Sequence, residues 1–205
     1  TVTGDSSGSA YTGGIVGLGG GMVSNCYNSG EVTGTGGYYA YTGGIVGTSQ
    51  VAVENCYNIG KVTGKNGPYG AYTGGVVGRN SSAKISNCYN TGNVNGSDSD
   101  TANTGGVVGY NTGYVSNCYN TGTVTATGSN ADYIGGVVGH NVYDRITNCY
   151  YLNTSAGKGI GGNGTTTNVE SKTADEFASG EVAWLLQDGQ EESAGQVWGQ
   201  TLSGY

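Results

Sequence analysis

Short blocks of β-branched and aromatic residues recur along the chain, separated by glycine, asparagine and serine. Gly-Gly-(Ile/Val)-Val-Gly stands at residues 13–17, 43–47, 74–78, 105–109 and 135–139, a period of 30 to 31 residues. Asn-Cys-Tyr follows in every copy, at 25–27, 55–57, 87–89, 117–119 and 148–150. Val23, Val53, Ile85, Val115 or Ile146 lies two residues before its asparagine. A lone valine comes six residues after four of the cysteines, as Val32, Val62, Val94 and Val124. Apolar blocks this short, bounded by turn formers, predict strands. A helical repeat would need apolar residues at 3.6 spacing and would be weakened by so much glycine. The predicted architecture is all-β: a single-chain β-solenoid, or β-helix, of about five coils with three short strands per coil. Stacking sets equal residues one strand spacing apart, so five coils would build a stub on the order of 20–25 Å long around a narrow, ladder-like core.

The repeats span residues 1–155, with coils starting near 10, 40, 71, 102 and 131 and a partial coil over 1–9, where Val2 occupies the position of Val32. At the other end Tyr151 stands where earlier copies have Asn28, Asn58, Asn90 and Asn120, and the pattern lapses. Residues 156–172, rich in Gly and Thr, read as a linker. Residues 173–205 read as a helical cap and tail, because Thr173-Ala174-Asp175-Glu176 has the form of a capping box. Phe177, Val182, Trp184, Leu185 and Leu186 supply an apolar side, and Gly180 is placed to split the helix in two. The helix is expected to close the last coil against water and edge pairing. Residues from Trp198 to Tyr205 would add a strand or a linker. The partial first coil would leave a strand edge open to a neighbouring repeat, a neighbouring domain of a longer chain, or a second copy.

Val23 and Cys26 are an odd number of residues apart, so both can face inward only if the strand bends between them. Asn25, Asn55, Asn87, Asn117 and Asn148 are suited to that corner, since asparagine tolerates the left-handed conformation. They are expected to stack as an amide ladder rather than to bind sugar. The glycine pairs are expected to do the same work at another corner.

The blocks Gly13-Gly14-Ile15-Val16-Gly17, Asn25-Cys26-Tyr27-Asn28 and Gly30-Glu31-Val32-Thr33-Gly34 resemble the GLUG repeat of large bacterial surface proteins, over about residues 10 to 155. Repeats of this kind are similar to those in adhesin-like chains and beside immunoglobulin-A metallopeptidases. The resemblance implies an extracellular accessory region at the bacterial cell surface, without the peptidase, whose His-Glu-x-x-His motif is absent from this sequence.

Composition agrees with a scaffold more than with an enzyme. The 205 residues include 43 glycines and one histidine, and the net charge is −7. Seven carboxylates against one lysine lie between Glu170 and Glu192. Lys61, Lys65, Lys84, Arg79 and Arg145 are scattered, which argues against nucleic acid as a partner. No apolar run approaches the ~18 residues of a membrane-spanning helix. Cys26, Cys56, Cys88, Cys118 and Cys149 form one column without Cys-x-x-Cys pairs or histidines, so no metal site is expected and they read as buried free thiols. No cofactor and no catalytic residue is expected. Acids stand singly in their columns, Glu31 beside Lys61 and Glu54 beside Ser24 and Ser86. Asp98 and Asp100 fall in a polar loop, and His140 shares a variable column with Leu18, Thr48, Arg79 and Tyr110. The candidate binding residues are Tyr27, Tyr57, Tyr89, Tyr119 and Tyr150, which point away from the cysteines and form either a self-stacking ladder or a strip for a host glycan or protein.

Overall fold

The computed structural model describes residues 1–66, 69–97, 101–128, 133–162, 168–190 and 195–199. The chain winds into a β-solenoid whose strands pair in parallel, each with its own counterpart one coil away. Parallel neighbours cannot be joined by a tight hairpin, so the chain must travel round the coil between them. Val2, Val32, Val62, Val94 and Val124 form one column. Val16, Val46, Val77, Val108 and Val138 form a second, and Val23, Val53, Ile85, Val115 and Ile146 a third. From Val32 to Val138, the members of the first two columns in the middle coils are fully or almost fully buried.

The described residues form four parallel sheets, one more than the three strands expected per coil. The extra one, Ala10–Gly13, Ala40–Gly43, Ala71–Gly74, Ala102–Gly105 and Ile134–Gly135, precedes the glycine-rich block. The block spans the end of that strand, a corner at its second glycine and the residue after it, and the start of the next strand at its valine. Its glycines do not supply a left-handed turn as expected, since none of the pairs has positive φ. They permit close approach instead: a Cβ on Gly75 would overlap the Gly106 carbonyl oxygen and the Asn90 amide.

The second corner follows the expectation. Asn25, Asn55, Asn87, Asn117 and Asn148 all have φ between 49° and 55°. The cysteine after each donates its S–H to the carbonyl two residues back, 3.1–3.2 Å away, and so bridges the bend. Replacing Asn55 by Ala should cost about 1 kcal/mol, because a Cβ without a polar group is disfavoured in this conformation, whereas Asn55→Gly should be close to neutral. Urea titration of the two variants checks this, and equal stabilities would contradict it.

The amide ladder is displaced by three residues from where it was expected. Asn28 donates to Asn58, Asn58 to Asn90 and Asn90 to Asn120, at 2.8, 2.7 and 2.8 Å, all buried. A second ladder links Asn80, Asn111 and Asn141 at 2.7 and 2.8 Å. At the corner, one such bond joins Asn148 to Asn117 among the described residues. The left-handed backbone turns Asn25 and Asn55 outward to water, while Asn28 and its equivalents turn inward, where an amide must find partners.

Residues 156–172 are more than the linker expected. Ile160 bridges to Val138, and Val169–Lys172 pairs in parallel with the strand Ile146–Leu152. Tyr151, Ile160 and Val169 are buried and close the last coil. Helix α1, Ala174–Ala178, starts at the predicted capping box, and α2, Glu181–Asp188, follows the break at Gly180 (φ 87°). The helices do not plug the coil end as expected. Val182 and Leu186 of α2 pack on Tyr150, on the outer flank of the Asn-Cys-Tyr face. The flank is apolar there, whereas the coil end is already occupied by Tyr151 and Ile160. Lys172 anchors the helices through Glu181 and Glu176 at 2.9 and 3.4 Å, and lies 3.9 Å from Glu170 of its own strand. No helix among the described residues is long and apolar enough to cross a membrane, which says nothing of strands. Asp98, Asp100 and residues 200–205 lie outside the described residues.

Glu31 and Lys61 are neighbours on adjacent coils, 3.6 Å apart and about half exposed. A double-mutant cycle should return a coupling of ~0–1 kcal/mol, since solvent screens such a pair. A larger coupling would mean that water is excluded from this face.

Candidate functional site

The tyrosine after each cysteine points away from the core, because adjacent residues of a strand face opposite sides. Tyr27 and Tyr57 stack with ring centroids 5.2 Å apart, Tyr57 and Tyr89 at 4.8 Å, and Tyr89 and Tyr119 at 4.9 Å, the last two pairs within 1° of parallel. The spacing is that of the strands beneath. Exposure declines along the row, from Tyr27, 58 % exposed, to partly buried Tyr119. Phe177 and Trp198 rest against Tyr119, each with centroids 5.6 Å away. Tyr150 does not join the ladder: it is 6 % exposed beneath α2, and its hydroxyl donates to Asn148 Oδ1 at 2.6 Å. The expected five-residue strip is therefore a four-ring stack with a solvent-facing stretch at Tyr27, Tyr57 and Tyr89.

A stacked ring offers its edge and hydroxyl outward and spends its faces on its neighbours. Sugar recognition by aromatic residues uses the faces, so Tyr57 and Tyr89 are poorly disposed to hold a pyranose flat. Beside them Trp198 divides two clefts, one of about 450 Å³ over Tyr89 and Tyr119 and one of about 420 Å³ over Tyr57 and Asn87. Gln187 of α2 holds this tail segment, accepting from the amides of Val197 and Trp198 at 2.8 Å.

The cysteines are free thiols, four buried and Cys26 partly so. Burial pushes the thiols of Cys88 and Cys118 well above their ordinary value, and a hydrogen bond to Cys88, with burial added, does so for Cys56. Burial likewise raises Tyr119, and it raises Tyr72 to about 12. The folded state thus favours the neutral forms. That stability is complete below the unfolded-state values of 9.0 for the thiols and 10.0 for the phenols, and it is lost as pH rises through the raised folded values. The melting temperature followed by circular dichroism should hold from pH 7 to 9 and fall above that. An unchanged value at pH 10.5 would contradict the burial of these groups.

His140 is half-buried and stacks on Tyr133 at 4.5 Å; burial lowers its pKa. The carboxylates of Glu31 and Glu54 face Lys61 and Lys84. No group of three His, Cys, Asp or Glu among the described residues is placed to hold a metal. A second aromatic face escaped the sequence reading. Tyr11, Tyr41 and Tyr72 stack at 5.0 and 5.1 Å on the Ala-Tyr-Thr-Gly ladder, with Tyr39 against the latter two. The recurrence of Ala-Tyr-Thr-Gly at 10–13, 40–43 and 71–74 was the signal that could have revealed it.

In-register ladders, a narrow core and stacked surface rings define a repeat protein of the parallel β-solenoid class. The family model described as the GLUG motif matches residues 69–95, 100–125 and 130–154, and the first two coils carry the same blocks in the same register. No curated protein matches the chain. Among solved structures, it is similar to a candidate immunoglobulin A1 protease from Bacteroides ovatus, with a TM-score of 0.64 and 20 % identity over 90 % of this chain and 69 % of the other. At that identity the likeness concerns the fold.

Proposed function

We propose that the chain is a non-catalytic repeat scaffold outside the bacterial cell, a segment of a surface stalk or adhesin, with Tyr27, Tyr57, Tyr89 and Tyr119 acting as a stiffening ladder. The observation that carries this reading is the unbroken register: side chains of one type stack on their own kind through successive coils, in the core as valines and cysteines, within the wall as asparagines, and outside as tyrosines. Such a stack resists bending and extends by addition of coils. The strands of the first coil lie at the ends of their sheets, where a further repeat, a neighbouring domain or a second copy would pair.

Single-molecule stretching from the two ends tests the scaffold. Coils of ~30 residues should peel in succession, each releasing about 10 nm of contour. A single featureless extension at low force would count against a load-bearing role. The same strip could serve instead as a docking site for a glycan or protein, a reading favoured by the unpartnered Asn87 Oδ1 that lines the cleft beside Tyr57 and Trp198. Saturable binding on a glycan array that vanishes in both Tyr57→Ala and Tyr89→Ala would replace the ladder reading with this one. The fold shared with the candidate protease also suits an accessory region of a larger secreted enzyme.

A further inference from the structure

Beside the Ala-Tyr-Thr-Gly face, two bends carry tyrosines in equivalent positions of successive coils. Tyr38 lies between the strands Val32–Gly36 and Ala40–Gly43, and Tyr69 between Val62–Asn66 and Ala71–Gly74. Since Ala40 pairs with Ala71, the two tyrosines stand two residues before the same rung. Their ring centroids are 5.6 Å apart and the ring planes are tilted by 34°. The residues are 53 % and 55 % exposed, and neither belongs to a strand.

Other neighbouring tyrosines are held differently. Tyr41 lies within 6° of parallel to Tyr72, and Tyr57 within 1° of parallel to Tyr89, each ring rising from a strand that pairs in register with its neighbour's. Their faces are opposed and their edges kept one strand spacing apart. Tyr41 is buried, and Tyr39, with its centroid 5.9 Å from that of Tyr69, is half-buried. Tyr114 and Tyr143 are exposed, but each lies against the Arg145 guanidinium at 4.9 Å. Among the described residues, Tyr38 and Tyr69 are thus the neighbouring rings that combine exposure, tilt and freedom from a paired strand.

We infer that Tyr38 and Tyr69 form an oxidative cross-linking site, at which a haem peroxidase turning over hydrogen peroxide joins the two phenols into a dityrosine. The oxidant takes one electron and one proton from each phenol. The two radicals pair at the ring carbons ortho to oxygen, Cε to Cε, and each of these carbons then yields its hydrogen to the oxygen of its own ring, which restores both aromatic systems. Two phenols and one hydrogen peroxide become one biaryl and two waters. The new bond joins ring edges, so the rings must turn edge to edge. Exposed side chains on bends reorient within nanoseconds, whereas the in-register stacks hold their rings face to face. The bond ties two coils together across the 31 residues from 38 to 69 and restricts the unfolded chain as a disulfide does. The chemistry is independent of the scaffold reading.

The test is treatment of the whole chain, at high dilution, with a haem peroxidase and limiting hydrogen peroxide, followed by reduction to remove any disulfide. The product should be a monomer with dityrosine fluorescence, two hydrogens lighter than the starting chain, whose digest contains one peptide pair joined through Tyr38 and Tyr69. It should melt above the untreated chain. Tyr38→Phe and Tyr69→Phe, each removing one exposed hydroxyl, should lose most of the fluorescence, and Tyr27→Phe should lose little. If either variant fails to fold, the peptide map of the unaltered sequence decides. Fluorescence retained in both variants, peptide pairs joined mainly through other tyrosines, coupling only between molecules, or a cross-linked monomer that melts no higher than the untreated chain would each overturn the proposal.

Discussion

Val77→Asp is expected to abolish the folded solenoid, a loss of more than about 4 kcal/mol. Val77 is fully buried in the third of five coils and paired with Val46 below and Val108 above. A carboxylate there faces valines and cysteines and has no cation to meet it, and its neutral form would still bury an unmet donor and acceptor. Because each coil rests on its neighbours, the damage should spread rather than remain local. Val77→Ala, which removes only packing, should cost roughly 2 kcal/mol and keep the fold. Far-ultraviolet circular dichroism and urea titration of both variants decide the matter. A folded, cooperatively melting Val77→Asp would mean that the interior admits water.

Asn90→Leu is expected to cost roughly 3–6 kcal/mol even though the two side chains have similar shapes. Asn90 donates to the Gly92 carbonyl at 2.7 Å and to Asn120 Oδ1 at 2.8 Å. It accepts from Asn58 Nδ2 at 2.7 Å and from the Gly92 amide at 3.2 Å. All four bonds lie in a buried wall, and leucine removes every one while leaving the partners in place. Leucine would also press its branched end on Gly75, whose Cα already faces the Asn90 amide. Asn28→Leu, at the end of the ladder, should cost less. Equilibrium unfolding in urea measures both, and a change below about 1 kcal/mol for Asn90→Leu would show that the ladder adds nothing to stability.

Asn103 interrupts the aromatic column on one face, while the column from Tyr27 to Tyr119 runs uninterrupted on the other.

The repeat period was legible from residues alone because parallel, in-register stacking sets each residue beside its own counterpart, so spacing along the chain becomes position in a column. Val32 with Val62, Glu31 with Lys61, and the corner at Asn25 all followed from that arithmetic, as did the capping box at Thr173, whose partners are three residues apart. Direction across the wall was not legible, because it depends on φ and ψ at the corners. That is why the inward amide ladder proved to be Asn28, Asn58, Asn90 and Asn120 rather than the asparagines three residues earlier, and why the glycine pairs proved to allow close approach rather than a left-handed turn. The place of the C-terminal segment was likewise decided in three dimensions. An apolar helix face states only that something covers it, whereas the choice of Tyr150 over the coil end arose because Tyr151, Ile160 and Val169 had already filled that end.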